Sequence, residues 1–277
     1  MKIELASSYG FCFGVKRAIK IAESHPNSKT YGPLIHNKDE IDRLQNSYNI
    51  GLVEKFSEIV PNETIVIRTH GIPQKELEVL KEQKNSIIDA TCPYVTTPQQ
   101  IVKQMSEEGY DVVIFGDINH PEIKGVMSYG EDESRVFVVD NEKKIKDLDI
   151  KNKVAVVAQT TRKHEDFMKI VHALILNSKE VRVFNTICNA TFENQDAAAK
   201  LAKKADIMIV IGGKHSSNTK QLHSICKMYC DESYLIENVT ELNLGWFNNK
   251  KYCGVTAGAS TPDWVVDDVI NKIKTLK

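Results

Sequence analysis

Short apolar runs separated by amphipathic stretches recur along almost the whole chain. Residues 64–67 (Thr-Ile-Val-Ile), 111–115 (Asp-Val-Val-Ile-Phe), 135–139 (Arg-Val-Phe-Val-Val), 154–158 (Val-Ala-Val-Val-Ala) and 206–211 (Asp-Ile-Met-Ile-Val-Ile) are rich in β-branched side chains and show no polar alternation. Runs of that kind predict strands covered on both faces, as in parallel sheets. Helical spacing of apolar positions predicts helices over 99–108, stopped by Gly109, and over 163–176, 193–204 and 262–274. Strands alternating with helices mean an α/β fold, whose ligands gather beyond the C-terminal ends of the strands.

Those strand ends are where the sequence becomes specific. Six of them run into loops built of histidine, threonine, serine, asparagine and glycine: Gly32-Pro33-Leu34-Ile35-His36-Asn37, Arg68-Thr69-His70-Gly71, Gly116-Asp117-Ile118-Asn119-His120-Pro121-Glu122, Gln159-Thr160-Thr161, Gly212-Gly213-Lys214-His215-Ser216-Ser217-Asn218 and Thr256-Ala257-Gly258-Ala259-Ser260. Glycine admits a ligand close to the backbone, and helix N-termini beyond such loops offer N–H groups to anions. His36, His70 and His120 end successive strands and can all donate hydrogen bonds. With Ser216, Ser217, Asn218 and Ser260 they form a donor set suited to a diphosphate. Lys214 is the obvious cationic candidate, although a lysine at a loop start is more often solvated. Glu122, two residues after His120, reads by itself as a carboxylate at a helix start; beside a cluster and an anion pocket it is suited to proton delivery, with Thr160 as a hydroxyl relay.

Three cysteines share this setting. Cys92 (Ala90-Thr91-Cys92-Pro93) and Cys188 (Thr186-Ile187-Cys188-Asn189) each follow an apolar run and precede a helical stretch, and Cys12 lies in Phe11-Cys12-Phe13-Gly14. They lie roughly one small domain apart, which suggests three similar units, each giving one thiolate to a common centre. The corresponding boundaries are 1–92 (Cys12, His36, His70), 93–187 (His120, Glu122, Thr160) and 188–277 (Cys188, Ser216, Asn218, Ser260). Structural zinc favours four ligands and close Cys-x-x-Cys pairs, absent here. Three thiolates are compatible with an iron–sulfur cluster that keeps one iron open, or with three packed thiols. Cys226 and Cys230 follow a helical apolar face with Leu222 and Ile225, and Cys253 sits in a strand-like run, so these three read as core.

Composition narrows the classes. Lys+Arg 36 against Asp+Glu 37 gives a formal charge of −1, so nothing calls for nucleic acid or an anionic membrane. No run approaches a spanning helix and the first residues lack a signal-peptide core, so a cytoplasmic protein with reduced cysteines is expected. Gly-x-Gly-x-x-Gly and P-loop patterns are absent, which removes the common nucleotide readings.

Taken in order, Gly10-Phe11-Cys12-Phe13-Gly14-Val15, Arg68-Thr69-His70-Gly71, Ala90-Thr91-Cys92-Pro93, His120-Pro121-Glu122, Gln159-Thr160-Thr161, Thr186-Ile187-Cys188-Asn189-Ala190-Thr191, Ser216-Ser217-Asn218 and Thr256-Ala257-Gly258-Ala259-Ser260 resemble the 4-hydroxy-3-methylbut-2-enyl diphosphate reductase (LytB) family from about Leu5 to Trp264. The resemblance implies three α/β units in a trefoil-like, pseudo-threefold arrangement around a central cavity. It implies a [4Fe-4S] cluster on Cys12, Cys92 and Cys188. His36, His70, His120, Thr160, Ser216, Ser217, Asn218 and Ser260 match substrate-binding positions, and Glu122 with Thr160 match the catalytic pair. The implied reaction is reductive dehydration of an allylic diphosphate to isopentenyl and dimethylallyl diphosphate, the last step of non-mevalonate isoprenoid synthesis. Ferredoxin or flavodoxin would donate the electrons. Departures from the family pattern lie beside these residues: Gly125-Val126-Met127-Ser128-Tyr129-Gly130, Thr161-Arg162-Lys163 and Thr219. A non-catalytic iron–sulfur redox sensor, or a metal-free phosphate-binding enzyme, are the competing classes.

Overall fold

The computed structural model describes residues 1–35, 37–150 and 152–275. The chain begins with strand β1 (Lys2–Leu5) and helix α1 (Phe13–Glu23). Then follow β2 (Lys29–Tyr31), α2 (Lys38–Tyr48), β3 (Gly51–Val53), β4 (Thr64–Ile67), α3 (Gln74–Glu82), β5 (Ser86–Asp89) and α4 (Pro93–Glu107). A second series contains β6 (Asp111–Phe115), α5 (Pro121–Met127), β7 (Val136–Val139), β8 (Lys153–Ala158), α6 (His164–Asn177), β9 (Glu180–Val183) and α7 (Asn189–Ala202). The last comprises β10 (Ile207–Ile211), α8 (Ser217–Tyr229), β11 (Ser233–Ile236), β12 (Tyr252–Ala257) and α9 (Asp263–Lys274).

The strands form three four-stranded sheets, ordered β3-β2-β4-β5, β7-β6-β8-β9 and β11-β10-β12-β1, with every pairing parallel. In each sheet the first strand of the series has its second strand on one side and its third and fourth on the other. In the last sheet the fourth place is taken by the N-terminal strand, with Ile3 opposite Cys253 and Leu5 opposite Val255. The α/β class expected from the runs is thus present, and the three similar sheets agree with the three units expected from the spacing of Cys12, Cys92 and Cys188.

The continuous apolar runs are explained by two-sided burial. On β10, Ile207, Ile209 and Ile211 pack with Val265, Val266, Val269 and Ile273 of α9, while Met208 and Val210 pack with Ala198, Leu201, Leu222 and Cys226 of α7 and α8. Likewise Val113, Phe115, Val154 and Val156 pack with Phe167, Ile170 and Leu174 of α6, and Val112, Ile114, Ala155 and Val157 with Val102, Met105, Ile123 and Val126. Each fully buried isoleucine or valine contributes about 1.5–3 kcal/mol.

Two compact units divide the chain. One comprises Met1–Lys16, Ile35–Ser47 and Asn189–Lys277 and holds the sheet containing β1; the other comprises Arg17–Leu34 and Tyr48–Cys188 and holds the other two sheets. Among the described residues no helix is long and apolar enough to cross a membrane.

Three cysteines belong to the core, as their helical and strand periodicity predicts. Cys226 and Cys253 are fully buried, and burial pushes each thiol up to about 12. Cys230 is buried and raised for the same reason. Cys226→Ala is therefore expected to lower stability by about 1 kcal/mol in urea unfolding while leaving any bound iron, read by chemical assay, unchanged.

Candidate active site

The crevice of an open parallel sheet lies where neighbouring strands send their connections in opposite directions. Here that point falls between β2 and β4, β6 and β8, and β10 and β12. The loops leaving those strands are the six polar loops of the sequence. Gly32, Gly116 and Gly212 follow the first strand of each sheet and each donates its N–H to the last residue of the adjoining strand: Val53, Val139 and Ile236.

The fourth strand of each sheet leads to one of the three cysteines. Cys92 N donates to Thr69 O at 3.0 Å, Cys188 N to Thr160 O at 2.9 Å, and Cys12 N to Ala259 O at 3.2 Å. Each acceptor lies two residues past the end of the third strand, so the three cysteines occupy one structural position repeated three times. Each also immediately precedes a helix of eleven residues or more: α1, α4 or α7. Lys16 N donates to Cys12 O and Thr96 N to Cys92 O, the first bonds of their helices. Pro93 fills the first position of α4, where its missing N–H is harmless. Among the described residues no cysteine is in a disulfide, and no three His, Cys, Asp or Glu side chains are closed up as a ligand set. Three thiol donors, each at a helix start, are chemically matched to a thiolate-ligated cluster.

The larger unit assembles four more of the expected residues. Glu122, at the start of α5, is 1% exposed. Its Oε1 accepts from Thr160 N at 2.8 Å and its Oε2 from Thr160 Oγ1 at 2.7 Å. Burial pushes the Glu122 carboxyl up from the ordinary glutamate value, and the two Thr160 hydrogen bonds and the charge of Arg162 only partly oppose it. Glu122 N donates to His120 Nδ1 at 3.2 Å, so His120 caps α5 and carries its ring hydrogen on Nε2 as a donor. The His70 ring meets the His120 ring edge-on, centroids 5.2 Å apart. Because Thr160 O also holds Cys188 N, the acid, the hydroxyl and one thiol share a single backbone junction.

That raised pKa has a sign for stability. A carboxyl whose folded pKa lies above its unfolded value stabilises the fold fully below the unfolded pKa of 4.5, and the contribution is lost as pH rises through the folded one. Cluster-free Glu122→Gln is therefore expected to gain stability relative to wild type between pH 5 and pH 8. Paired urea titrations at the two pH values measure the gain; a constant difference contradicts an ionisation buried here.

The smaller unit holds the remaining donors. Ser216 caps α8, its side chain accepting from Thr219 N; Ser217 begins the helix, and Asn218 follows at 5% exposure. Both Oδ1 and Nδ2 of Asn218 are buried without a hydrogen-bond partner. A buried amide of that kind costs about 1–3 kcal/mol per unmet group unless a ligand satisfies it. Ser260 is nearly buried, next to the Ala259 carbonyl that holds Cys12 N. Lys214 is not available as the pocket's cation: its ammonium is exposed and paired with Glu241. His36 lies outside the described residues.

Two supporting residues escape sequence reading. Thr186 Oγ1 accepts from Ala158 N and donates to Ala158 O, tying the Cys188 loop to the end of β8. Gln159 Oε1 accepts from Asp117 N and joins the loops after β6 and β8. Both sit inside motifs singled out for their neighbours, and only pairing across strands reveals their role.

The sequence model described as LytB protein matches residues 3–274. The chain is 72% identical over 277 residues to the 4-hydroxy-3-methylbut-2-enyl diphosphate reductase of a Sulfurovum species and 64% identical over 277 residues to that of a Nitratiruptor species, with all of each chain covered. Among solved structures it is similar to that of (E)-4-hydroxy-3-methyl-but-2-enyl diphosphate reductase, the terminal enzyme of the non-mevalonate pathway, at 41% identity, TM-score 0.74 and 99% of each chain. It is also similar to the E-1-hydroxy-2-methyl-but-2-enyl-4-diphosphate reductase of Plasmodium falciparum, at 28% identity and TM-score 0.90, over 98% of this chain and 87% of that one. These relatives are named as enzymes, which leaves the sensor reading without support.

Proposed function

The chain belongs to the LytB protein family, and from that premise we propose that it reduces 4-hydroxy-3-methylbut-2-enyl diphosphate to isopentenyl and dimethylallyl diphosphate. The reaction consumes two electrons and two protons, breaks the allylic C–O bond and releases water. The observation that carries the reading is the buried Glu122–Thr160 pair, a carboxyl whose pKa burial raises, at a sheet's ligand crevice.

In this reading Glu122 is the acid. Its Oε2 accepts from Thr160 Oγ1 at 2.7 Å without substrate; when the substrate hydroxyl is bound, the threonine would turn its hydrogen toward that hydroxyl and take a proton from Oε2 in its place. Thr160 N–H stays on Oε1 and holds the carboxyl in place as it loses its proton. His120 presents Nε2–H, and His70 beside it adds a second imidazole donor for the diphosphate. His36, Ser216, Ser217, Asn218 and Ser260 complete the diphosphate site, the unmet amide of Asn218 being the one most in need of a ligand. Cys12, Cys92 and Cys188 would hold a [4Fe-4S] cluster, which when bound supplies the electrons and a Lewis-acidic iron for the departing oxygen. A reduced ferredoxin or flavodoxin is the donor we propose, and the cytoplasm the compartment.

The test is anaerobic oxidation of reduced viologen by cluster-replete protein on addition of the allylic diphosphate. Rapid bleaching with formation of both five-carbon diphosphates is expected. No bleaching by protein with confirmed iron and sulfide would remove the assignment.

A further inference from the structure

His70 is carried on a tight turn that is closed twice. Gly71 N donates to Arg68 O at 2.9 Å, the backbone bond of a four-residue turn, and Arg68 Nε donates to Gly71 O at 3.3 Å. The side chain of the turn's first residue thus clips its last, with Thr69 and His70 between them. Gly71 has φ +70, which closes the turn at little cost only for glycine.

Three neighbours hold Arg68 in that position. Its guanidinium lies over the Tyr31 ring, 5.4 Å from the centroid. On the adjoining loop Gly32, at φ +69, leaves the space it occupies: a β-carbon there would stand 2.0 Å from Arg68 Nη1. Tyr31 Oη donates to Glu76 Oε1 at 3.2 Å, and Glu76 Oε2 is buried without a hydrogen-bond partner. Burial pushes the Glu76 carboxyl up and the Arg68 guanidinium down; Tyr31, Arg68 and Lys124 oppose the first shift, and Tyr31 and Glu76 the second. A planar cation held over a ring and bonded through Nε to a turn carbonyl is a geometry that arginine satisfies and lysine does not.

We propose that Arg68, backed by Tyr31 and Glu76, is a positioning residue that locks the Arg68–Gly71 turn and so presents the His70 imidazole to the substrate's diphosphate. This rests on the functional reading above, in which His70 is a diphosphate ligand. The device works before any ligand arrives, so that little ordering of the loop opposes binding.

Holoenzyme Arg68→Lys and Arg68→Met test it by three readouts: hydrogen exchange at the Gly71 amide, titration with inorganic diphosphate, and steady-state kinetics. Both variants are expected to exchange Gly71 faster, to bind diphosphate about tenfold more weakly and to raise KM about tenfold with kcat within twofold. Lysine fails to rescue because charge alone does not make the clip. Wild-type diphosphate affinity in Arg68→Lys overturns the proposal, as does unchanged exchange at Gly71. If wild-type holoenzyme itself binds no diphosphate, the functional reading fails and the proposal falls with it, a result distinct from equal binding by wild type and variants.

Discussion

Glu122→Gln is expected to lower turnover by about 10²–10⁴-fold while iron content, the visible spectrum and diphosphate affinity stay at wild-type values. The amide is nearly isosteric, so it keeps an acceptor for Thr160 N and contacts Thr160 Oγ1 through its other atom, and the packing around a residue 1% exposed is little disturbed. What is lost is the ionisable proton of a carboxyl that burial shifts toward its acid form. Reduced-dye oxidation measures the loss directly. Turnover within a few-fold of wild type would take Glu122 out of the acid's role and leave it as a buried cap of the Thr160 junction.

Cys92→Ser is expected to move cluster and fold in opposite directions. Cys92 sits at the capping position of α4 with extended backbone, φ −63 and ψ 133, and its side chain makes no capping hydrogen bond. Serine is among the best capping residues and contributes about 0.5–2 kcal/mol to helix stability there. Metal-free Cys92→Ser should therefore be as stable as wild type or more so in urea. Hydroxyl oxygen is a poor substitute for thiolate toward iron, and even outer supports of a metal site are worth about 10–100-fold. Iron and sulfide per chain should fall, and turnover with them, by at least about a hundredfold. A stable variant that keeps its full iron and sulfide content would overturn the ligand role of Cys92. A destabilised metal-free variant would show that the thiol is needed for packing instead.

Much of this was legible from local pattern. The runs at 64–67 and 111–115 are strands at those bounds, and those at 135–139, 154–158 and 206–211 are strands to within a residue. They declare themselves because both faces are buried and no polar alternation obscures them. The helix expected from residue 99 instead starts at Pro93, with Pro98 inside it. Read locally Pro98 is a breaker, yet it lies early in the helix, where packing of Val95, Val102 and Met105 outweighs one missing hydrogen bond. Helices α1, α2 and α3 were not expected. The only apolar side chains on α2 before its terminal Tyr48 are Ile41 and Leu44, too few for a periodic signal, and β2 and β3 are three residues each.

By itself the sequence determined the fold class and the six polar strand ends, because each depends on a few neighbouring residues and their burial. Tertiary structure alone decided that β1 pairs with β12 and so puts Cys12 in the same position as Cys92 and Cys188. It also decided that Glu122 meets Thr160 across 38 positions of chain, that Lys214 is taken by Glu241, and that Arg68 folds back on its own turn. Parallel pairing joins segments of any separation, and its register is chosen by what the helices on either face can bury, so no period along the chain records it.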